Sequence, residues 1–367
     1  MPTPARLSHP RARLYEVVRT AHLERARELA PASIVYRRRR YDFDPSVAPG
    51  VELVQAEPMA AARLLVRSGV TALEVNEPLQ LSSAIATLST LIALDLRGRL
   101  RGARPLVVTY AIENLDPMSA RPARLRSRLK LRAQRWAAGR VWRRLDRIVY
   151  GTTGARDLHA RVLPARRDLE STVIEALPAP MPERSHVVRN PVKIVFLGAL
   201  VGRKGFPLLV EAWSTVLQRE PHASLVILGS GELEPAAAAL SDRHPSVTFH
   251  RDPARSVIFD TLAASRTLVL PSQPRPDWRE QVGLPIVEGL AAGCLVVTTT
   301  ETGIAGWLDE HGHQVIEPGD DAAALAEALL ATLASTRTQA DVLADLPARD
   351  GRLAADSWLF RDDGGDH

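Results

Sequence analysis

At 367 residues and 46% hydrophobic side chains, the chain has room for two domains of ordinary size, each with a sizeable core. A single cysteine, Cys294, excludes an internal disulfide framework and agrees with a reducing compartment. The N-terminus has no apolar core of signal-peptide length, and no run approaches the roughly 20 apolar residues of a membrane span, so the expectation is a cytoplasmic protein.

The net charge of +5 conceals a split. Residues 1–190 carry 33 Lys+Arg against 18 Asp+Glu, a net of +15, and residues 191–367 carry 14 against 24, a net of −10. Such asymmetry points to different partners for the two halves.

In chain order, short apolar runs at 33–36, 51–54, 72–75, 105–109, 147–150 and 172–175 read as strands separated by helical stretches. The alternation predicts a parallel α/β sheet. Two polar strand ends stand out: Glu74-Val-Asn76-Glu77-Pro78, and Tyr110-Ala-Ile-Glu113-Asn114. Glu113 is read as a candidate cleft-facing residue, with an ordinary loop carboxylate as the competing reading. Residues 121–147 hold eleven Arg+Lys and one acid, with Trp136, Trp142, Leu125 and Leu129 interleaved. A basic stretch with tryptophan suits an anionic membrane surface. The plainer alternative is a solvated helix pair, and nucleic acid is set aside because no recognised module accompanies the charge. The proline-rich segment 177–190 is the expected linker, with the domain boundary near 190.

Beyond it, Lys193-Ile-Val-Phe-Leu-Gly198 reads as a strand, followed by Arg203-Lys204-Gly205 and a helix through Leu208, Leu209, Ala212 and Trp213. Adjacent cations at a strand end in an acidic half are what a phosphate needs, with a solvated surface pair as the plainer alternative. The next strand, 225–229, ends in Gly229-Ser-Gly231, which reads either as an ordinary strand-to-helix turn or as a loop whose glycines permit close backbone approach to a ligand. Strands are also expected at 246–249, 268–272 and 295–300. Between the last two stands Glu280-Gln-Val-Gly-Leu-Pro-Ile-Val-Glu288. Pro285 suits the start of a helix, so Glu280 lies on a loop and Glu288 near the first turn. Free amides at that helix start, near Gly283 and Leu284, face an approaching anion. A last helix is read near 350–360, and the tail 361–367 as disordered.

This ordered set resembles the retaining glycosyltransferases of family 4, and the paired glutamates resemble their E-x7-E motif. The resemblance covers roughly 191–335 well and the first half loosely. It implies the α/β GT-B fold, two Rossmann-like domains facing across a cleft. Residues 1–190 would form the acceptor side, 191–348 the nucleotide-sugar donor side, and 349–367 a crossover helix and tail. By resemblance Glu288 holds the donor ribose, Glu280 the transferred sugar, and Lys204, with Arg203, the diphosphate. Gly231, Gly283 and Leu284 border the donor. The catalytic candidates are Glu280, Lys204 and Glu113.

Two departures stand out. Ala199 replaces the arginine that many relatives carry after the first strand's glycine, and the first half has neither a glycine-rich loop near 1–45 nor a histidine after 107–109. The expected activity is transfer of a sugar, with retention, from a nucleoside-diphosphate sugar to a hydroxyl acceptor of a surface polysaccharide or glycolipid. No metal or other cofactor is obligatory in that scheme, and the protein would sit in the cytoplasm, peripheral to the inner membrane face. Two alternatives stay open: a catalytically silent GT-B sugar-nucleotide binder or assembly partner, and an enzyme that modifies the sugar nucleotide itself.

Overall fold

The computed structural model describes residues 4–362 apart from 41–42, 120, 122–123, 185, 277 and 320. Of the tail 361–367, expected to be disordered, residues 363–367 lie outside the described residues, whereas Arg361 is placed by an ion pair with Glu170 and by the Trp358 ring beneath its guanidinium. The chain divides into two compact units, one of residues 1–174 with 352–367 and one of residues 175–351. The expected linker 177–190 therefore counts with the second unit.

The first unit contains β1 (Arg11–Val18), α1 (Thr20–Ala26), β2 (Ser33–Arg39), β3 (Leu53–Gln55), α2 (Pro58–Ser68), β4 (Ala72–Val75) and α3 (Leu81–Arg101). It continues with β5 (Leu106–Ala111), α4 (Leu125–Arg144), β6 (Arg147–Tyr150), α5 (Thr153–Val162) and β7 (Glu170–Val173). The sheet order is β3-β2-β1-β4-β5-β6-β7, with every neighbouring pair parallel. A parallel sheet covered on both faces selects mostly apolar strands, and β4 and β6 are buried at every residue, the charged Glu74 and Arg147 included.

The second unit contains β8 (Asn190–Leu197), α6 (Phe206–Arg219), β9 (Ser224–Leu228), α7 (Glu234–Arg243), β10 (Val247–His250), α8 (Arg255–Ala264) and β11 (Ser265–Leu270). After these come α9 (Leu284–Ala291), β12 (Leu295–Thr299), α10 (Ala305–Glu310), β13 (Gln314–Ile316), α11 (Ala322–Ala334) and α12 (Gln339–Ala344). Its parallel sheet runs β10-β9-β8-β11-β12-β13. Helix α6 buries Phe206, Leu209, Ala212, Trp213 and Val216, a single face at helical spacing. Cys294 is fully buried in this core, and burial pushes its thiol up to about 11, so it behaves as a small hydrophobe.

Strand β1 went unread in the sequence, yet it lies inside the first sheet, between β2 and β4. Its polar residues hid it. Arg13 is 1% exposed because its charge is matched by partners distant in sequence. The last helix, α13 (Gly351–Leu359), supplies one of them, Asp356. Arg13 donates to Glu74 at 3.0 Å and to Asp356 at 2.6 Å, and Arg352 pairs with Glu74. Ala355, Leu359 and Phe360 pack on Ala72, Val108 and Val149, while Arg147 donates to the carbonyls of Leu359 and Arg361. Glu74, in one of the two polar strand ends, is therefore a buried counter-ion of the fold.

Candidate functional site

In each sheet the strand order reverses once, between β1 and β4 and between β8 and β11. Open parallel sheets gather ligands just outside the carboxyl ends of the strands at such points.

In the second unit this point collects the loops after β8 and β11. A 3-10 turn, Gly202–Lys204, follows β8 and ends at Gly205, which has φ +71°. A Cβ on Gly205 would lie 1.9 Å from the Pro271 carbonyl oxygen, so only glycine lets the two loops meet. The Gln273 amide donates to the Arg203 carbonyl at 2.9 Å, which stitches them together. The two loops then exchange side chains. The Lys204 ammonium pairs with the Glu280 carboxylate, both largely buried, and the Ser272 hydroxyl donates to the same carboxylate oxygen at 3.1 Å. The Trp278 ring lies 4.4 Å from the Arg203 guanidinium and 5.1 Å from Lys204 Nζ, within cation–π reach of both.

Behind Glu280, the loop is anchored to the segment after β12. Thr299 Oγ1 donates to the Ser272 carbonyl at 2.6 Å and Thr302 Oγ1 to the Val282 carbonyl at 2.7 Å. The Gly303 amide donates to the Gln281 carbonyl at 2.8 Å, and Arg279 lies 3.5 Å from the buried Glu301. Gly283 occupies the position before α9, Leu284 opens the helix and Pro285 is its second residue. No side chain caps this helix, so its first amides are available to an anion. Leu284 itself is 49% exposed.

Glu288 lies one turn further along α9 and pairs with Arg255 of α8 at 3.0 Å. The two motif glutamates thus have different partners: Glu280 meets Lys204 and Ser272, Glu288 meets Arg255. On a third side, the loop after β9 abuts the loop after β8. The Leu200 amide donates to the Ser230 carbonyl at 2.8 Å, and a Cβ on Gly231 would lie 2.6 Å from the Leu200 carbonyl oxygen. Ser272, Trp278, Arg255 and Glu301 were not singled out in the sequence. Trp278, two residues before Glu280, was the one with a local signal.

Glu113 belongs to the first unit. Its carboxylate accepts from the amides of Asn114 and Leu115 at 3.1 and 3.0 Å, in its own loop. The neighbouring Glu77, 8% exposed, accepts from the amides of Ile112 and Glu113 at 3.2 and 3.1 Å. Burial, reinforced by the Glu113 charge, pushes the Glu77 carboxyl up to about 8. His159, fully buried, has Nε2 3.7 Å from Glu77, and burial lowers it to about 4. Near pH 7 both groups are neutral, so this approach is not an ion pair.

Glu77 binds its proton more tightly in the folded chain than an unfolded glutamate does, whose value is about 4.3. Stability therefore falls as pH rises from about 4 to about 8 and then levels off. Glu77→Gln is expected to raise the melting temperature at pH 8 and to leave it unchanged near pH 4. A pH-independent difference between the two proteins in thermal unfolding would contradict this. A further hollow of mixed lining lies at the reversal point of the first sheet, where Glu16, Arg37, Asn76, Ser83, Thr87 and Thr90 face Leu14, Ala56, Pro58 and Ala61. Arg37 pairs with Glu16 at 3.1 Å there, and the Glu16 amide donates to Asn76.

Among the described residues no group of three or more His, Cys, Asp or Glu side chains is placed to hold a metal ion. Among them, too, no helix is long and apolar enough to cross a membrane.

The fold is of GT-B type, the class the two parallel sheets define. Residues 191–335 match the family described as glycosyl transferases group 1, so the second unit carries that sequence pattern.

Among particular proteins, a GDP-mannose-dependent monoacylated alpha-(1-6)-phosphatidylinositol monomannoside mannosyltransferase of Corynebacterium glutamicum is 32% identical over 137 residues. That alignment spans 36% of this chain and 36% of the relative. Among solved structures, the lipopolysaccharide outer core galactosyltransferase WaaB has a TM-score of 0.60 at 11% identity, covering 92% of this chain and 94% of the other. Anabaena HepE, solved with UDP, has a TM-score of 0.63 at 16% identity, with 95% of each chain covered. WaaG, a glycosyltransferase of lipopolysaccharide biosynthesis, has a TM-score of 0.57 at 15% identity, covering 95% of each.

Proposed function

We propose that the chain is a retaining glycosyltransferase of family 4 that moves a hexose-type sugar from a nucleoside-diphosphate sugar to a hydroxyl acceptor. The observation that carries this reading is the Lys204–Glu280–Ser272 cluster at the strand-order reversal of the second sheet, beside the uncapped start of α9. The cluster pairs a cation and free amides for a diphosphate with carboxylates for sugar and ribose hydroxyls. The UDP named with HepE and the GDP-mannose of the corynebacterial relative support a nucleoside-diphosphate donor.

In this scheme the C1–O bond to the diphosphate breaks as an acceptor oxygen attacks the same face of the sugar. The acceptor proton passes to the departing diphosphate oxygen, and no enzyme nucleophile is required. Lys204, aided by Arg203 and the first amides of α9, stabilises the charge that develops on the leaving group. Glu280 orients the sugar and Glu288 the ribose. Gly231 borders the nucleotide. The first unit supplies the acceptor side, where Glu113 is the catalytic candidate and the Glu16–Asn76 hollow is lined with groups suited to hydroxyls. A lipid-linked or polysaccharide acceptor fits the phosphatidylinositol mannoside of the corynebacterial enzyme and the lipopolysaccharide roles named for WaaB and WaaG.

Ala199, where many relatives have an arginine, favours a second reading in which the fold binds a sugar nucleotide without turnover. A thermal-shift series with UDP-, GDP-, ADP- and dTDP-sugars, run on the native chain and on Glu288→Ala, tests the donor site. One base is expected to raise the melting temperature, by an amount matching about 2.7 kcal/mol of stabilisation at a hundredfold excess over Kd. The shift is expected to vanish in Glu288→Ala. Absence of a shift with all four would remove the donor reading. A shift without donor hydrolysis or transfer would select the silent binder.

A further inference from the structure

We infer that the outer faces of α3 and α4 together form a docking surface for an anionic lipid bilayer. The inference concerns the surface of the first unit and does not rest on the sugar-transfer reading. The basic stretch was visible in the sequence, but its apolar half was not, because that half comes largely from the neighbouring helix.

On α3, Ile85, Ile92, Leu96 and Leu100 are 46, 49, 54 and 87% exposed. Their spacings of seven, four and four place them on one side of the helix. On α4, Leu125, Leu129 and Trp136 are 70, 58 and 59% exposed, and spacings of four and seven again give one side. The two helices pack against each other, and Ile92 and Trp136 line one groove between them with Arg140 and Arg143. The exposed apolar side chains of the two helices therefore meet at this groove, whereas the opposite face of α4 buries Ala137, Ala138, Val141 and Trp142.

Charge identifies the occupant. Helix α4 carries Arg126, Arg128, Lys130, Arg132, Arg135, Arg140, Arg143 and Arg144 with no acid, and its residues 125–130 are all exposed. The one acid of α3, Asp95, is paired with Arg144 at 2.7 Å. Arg140 stacks over the Trp136 ring at 5.2 Å, which leaves an aromatic body at the surface with a cation beside it. Exposed apolar side chains set among cations, on helices that lie side by side, fit the boundary between acyl chains and anionic headgroups. Face-to-face pairing with a second copy would oppose two strongly positive surfaces.

The test is sedimentation of the full chain with vesicles of phosphatidylcholine alone and of phosphatidylcholine mixed with phosphatidylglycerol. Binding is expected to the anionic vesicles only, and to weaken with salt. Leu96→Glu with Leu100→Glu, both at exposed sites, is expected to weaken binding at least about tenfold without changing the melting temperature. Leu100→Glu alone, at the more exposed site, gives the same test with less risk to the fold. Arg126→Glu with Lys130→Glu is expected to do likewise. Equal binding to both vesicle types, or native binding by the α3 variants, would overturn the inference. So would a self-association in solution that Leu96→Glu abolishes. No sugar nucleotide is present, so the result is independent of the donor site.

Discussion

Lys204→Ala is expected to lower kcat by about 10²–10³ while the fold persists. The reason is geometric. Lys204 is 9% exposed at the strand-order reversal of the second sheet, and its ammonium is held by Glu280 with Trp278 alongside. In the proposed reaction, negative charge grows on the leaving diphosphate. A fixed cation in a largely buried site stabilises that growth more than a solvated one does. Arg203 is half-buried and stacked on Trp278, so it is placed to retain part of donor binding when Lys204 is lost. The larger loss is therefore expected in kcat than in the donor KM. Removing Lys204 also leaves Glu280 without its cation, so circular dichroism and thermal unfolding must accompany the kinetics. Single-turnover transfer at saturating donor within threefold of the native rate would remove Lys204 from the catalytic role.

Glu74→Ala is expected to destabilise the first unit by about 3–5 kcal/mol, a large part of the stability of a domain of this size. Glu74 is 3% exposed and is the shared acceptor of Arg13 and Arg352, themselves 1 and 8% exposed. Without it two guanidinium groups remain buried with Asp356 as their common counter-ion. Helix α13 loses one of its attachments at the same time. Burial alone would raise the Glu74 carboxyl, but Arg352 and Arg13 outweigh it and hold the group below its ordinary value. The network thus contributes fully above the unfolded-state value, near pH 4.3, and loses that contribution as pH falls through the lowered folded value. Denaturant unfolding at pH 7 is expected to show a lower midpoint for Glu74→Ala with the native slope. The gap between native and variant is expected to narrow on acidification. A difference below about 1 kcal/mol at pH 7 would mean that the network is not what holds α13.

The amino-acid sequence alone determined the strands that are mostly apolar. Strands at 72–75 and 147–150 were placed to the residue, and those at 225–229 and 295–300 to within one, because a strand buried on both faces is mostly apolar and a single buried charge, Glu74 or Arg147, did not break the run. It also placed Lys204, Glu280, Gly283 and Glu288 on one loop or helix each, since Gly and Pro punctuate the chain there. Strand β1 was not legible, because Arg13 and Glu16 look like surface residues until their partners are in view. Arg13 is matched by Glu74 and Asp356, and Glu16 by Arg37, all distant in sequence. The same reason separates local signals from assembled ones at the candidate sites. Only the tertiary structure pairs Lys204 with Glu280 across 76 residues, turns Glu288 to Arg255, and sets Glu77 beside His159. A charge buried by a distant partner leaves no periodic trace in its own segment, whereas an apolar run carries its burial with it.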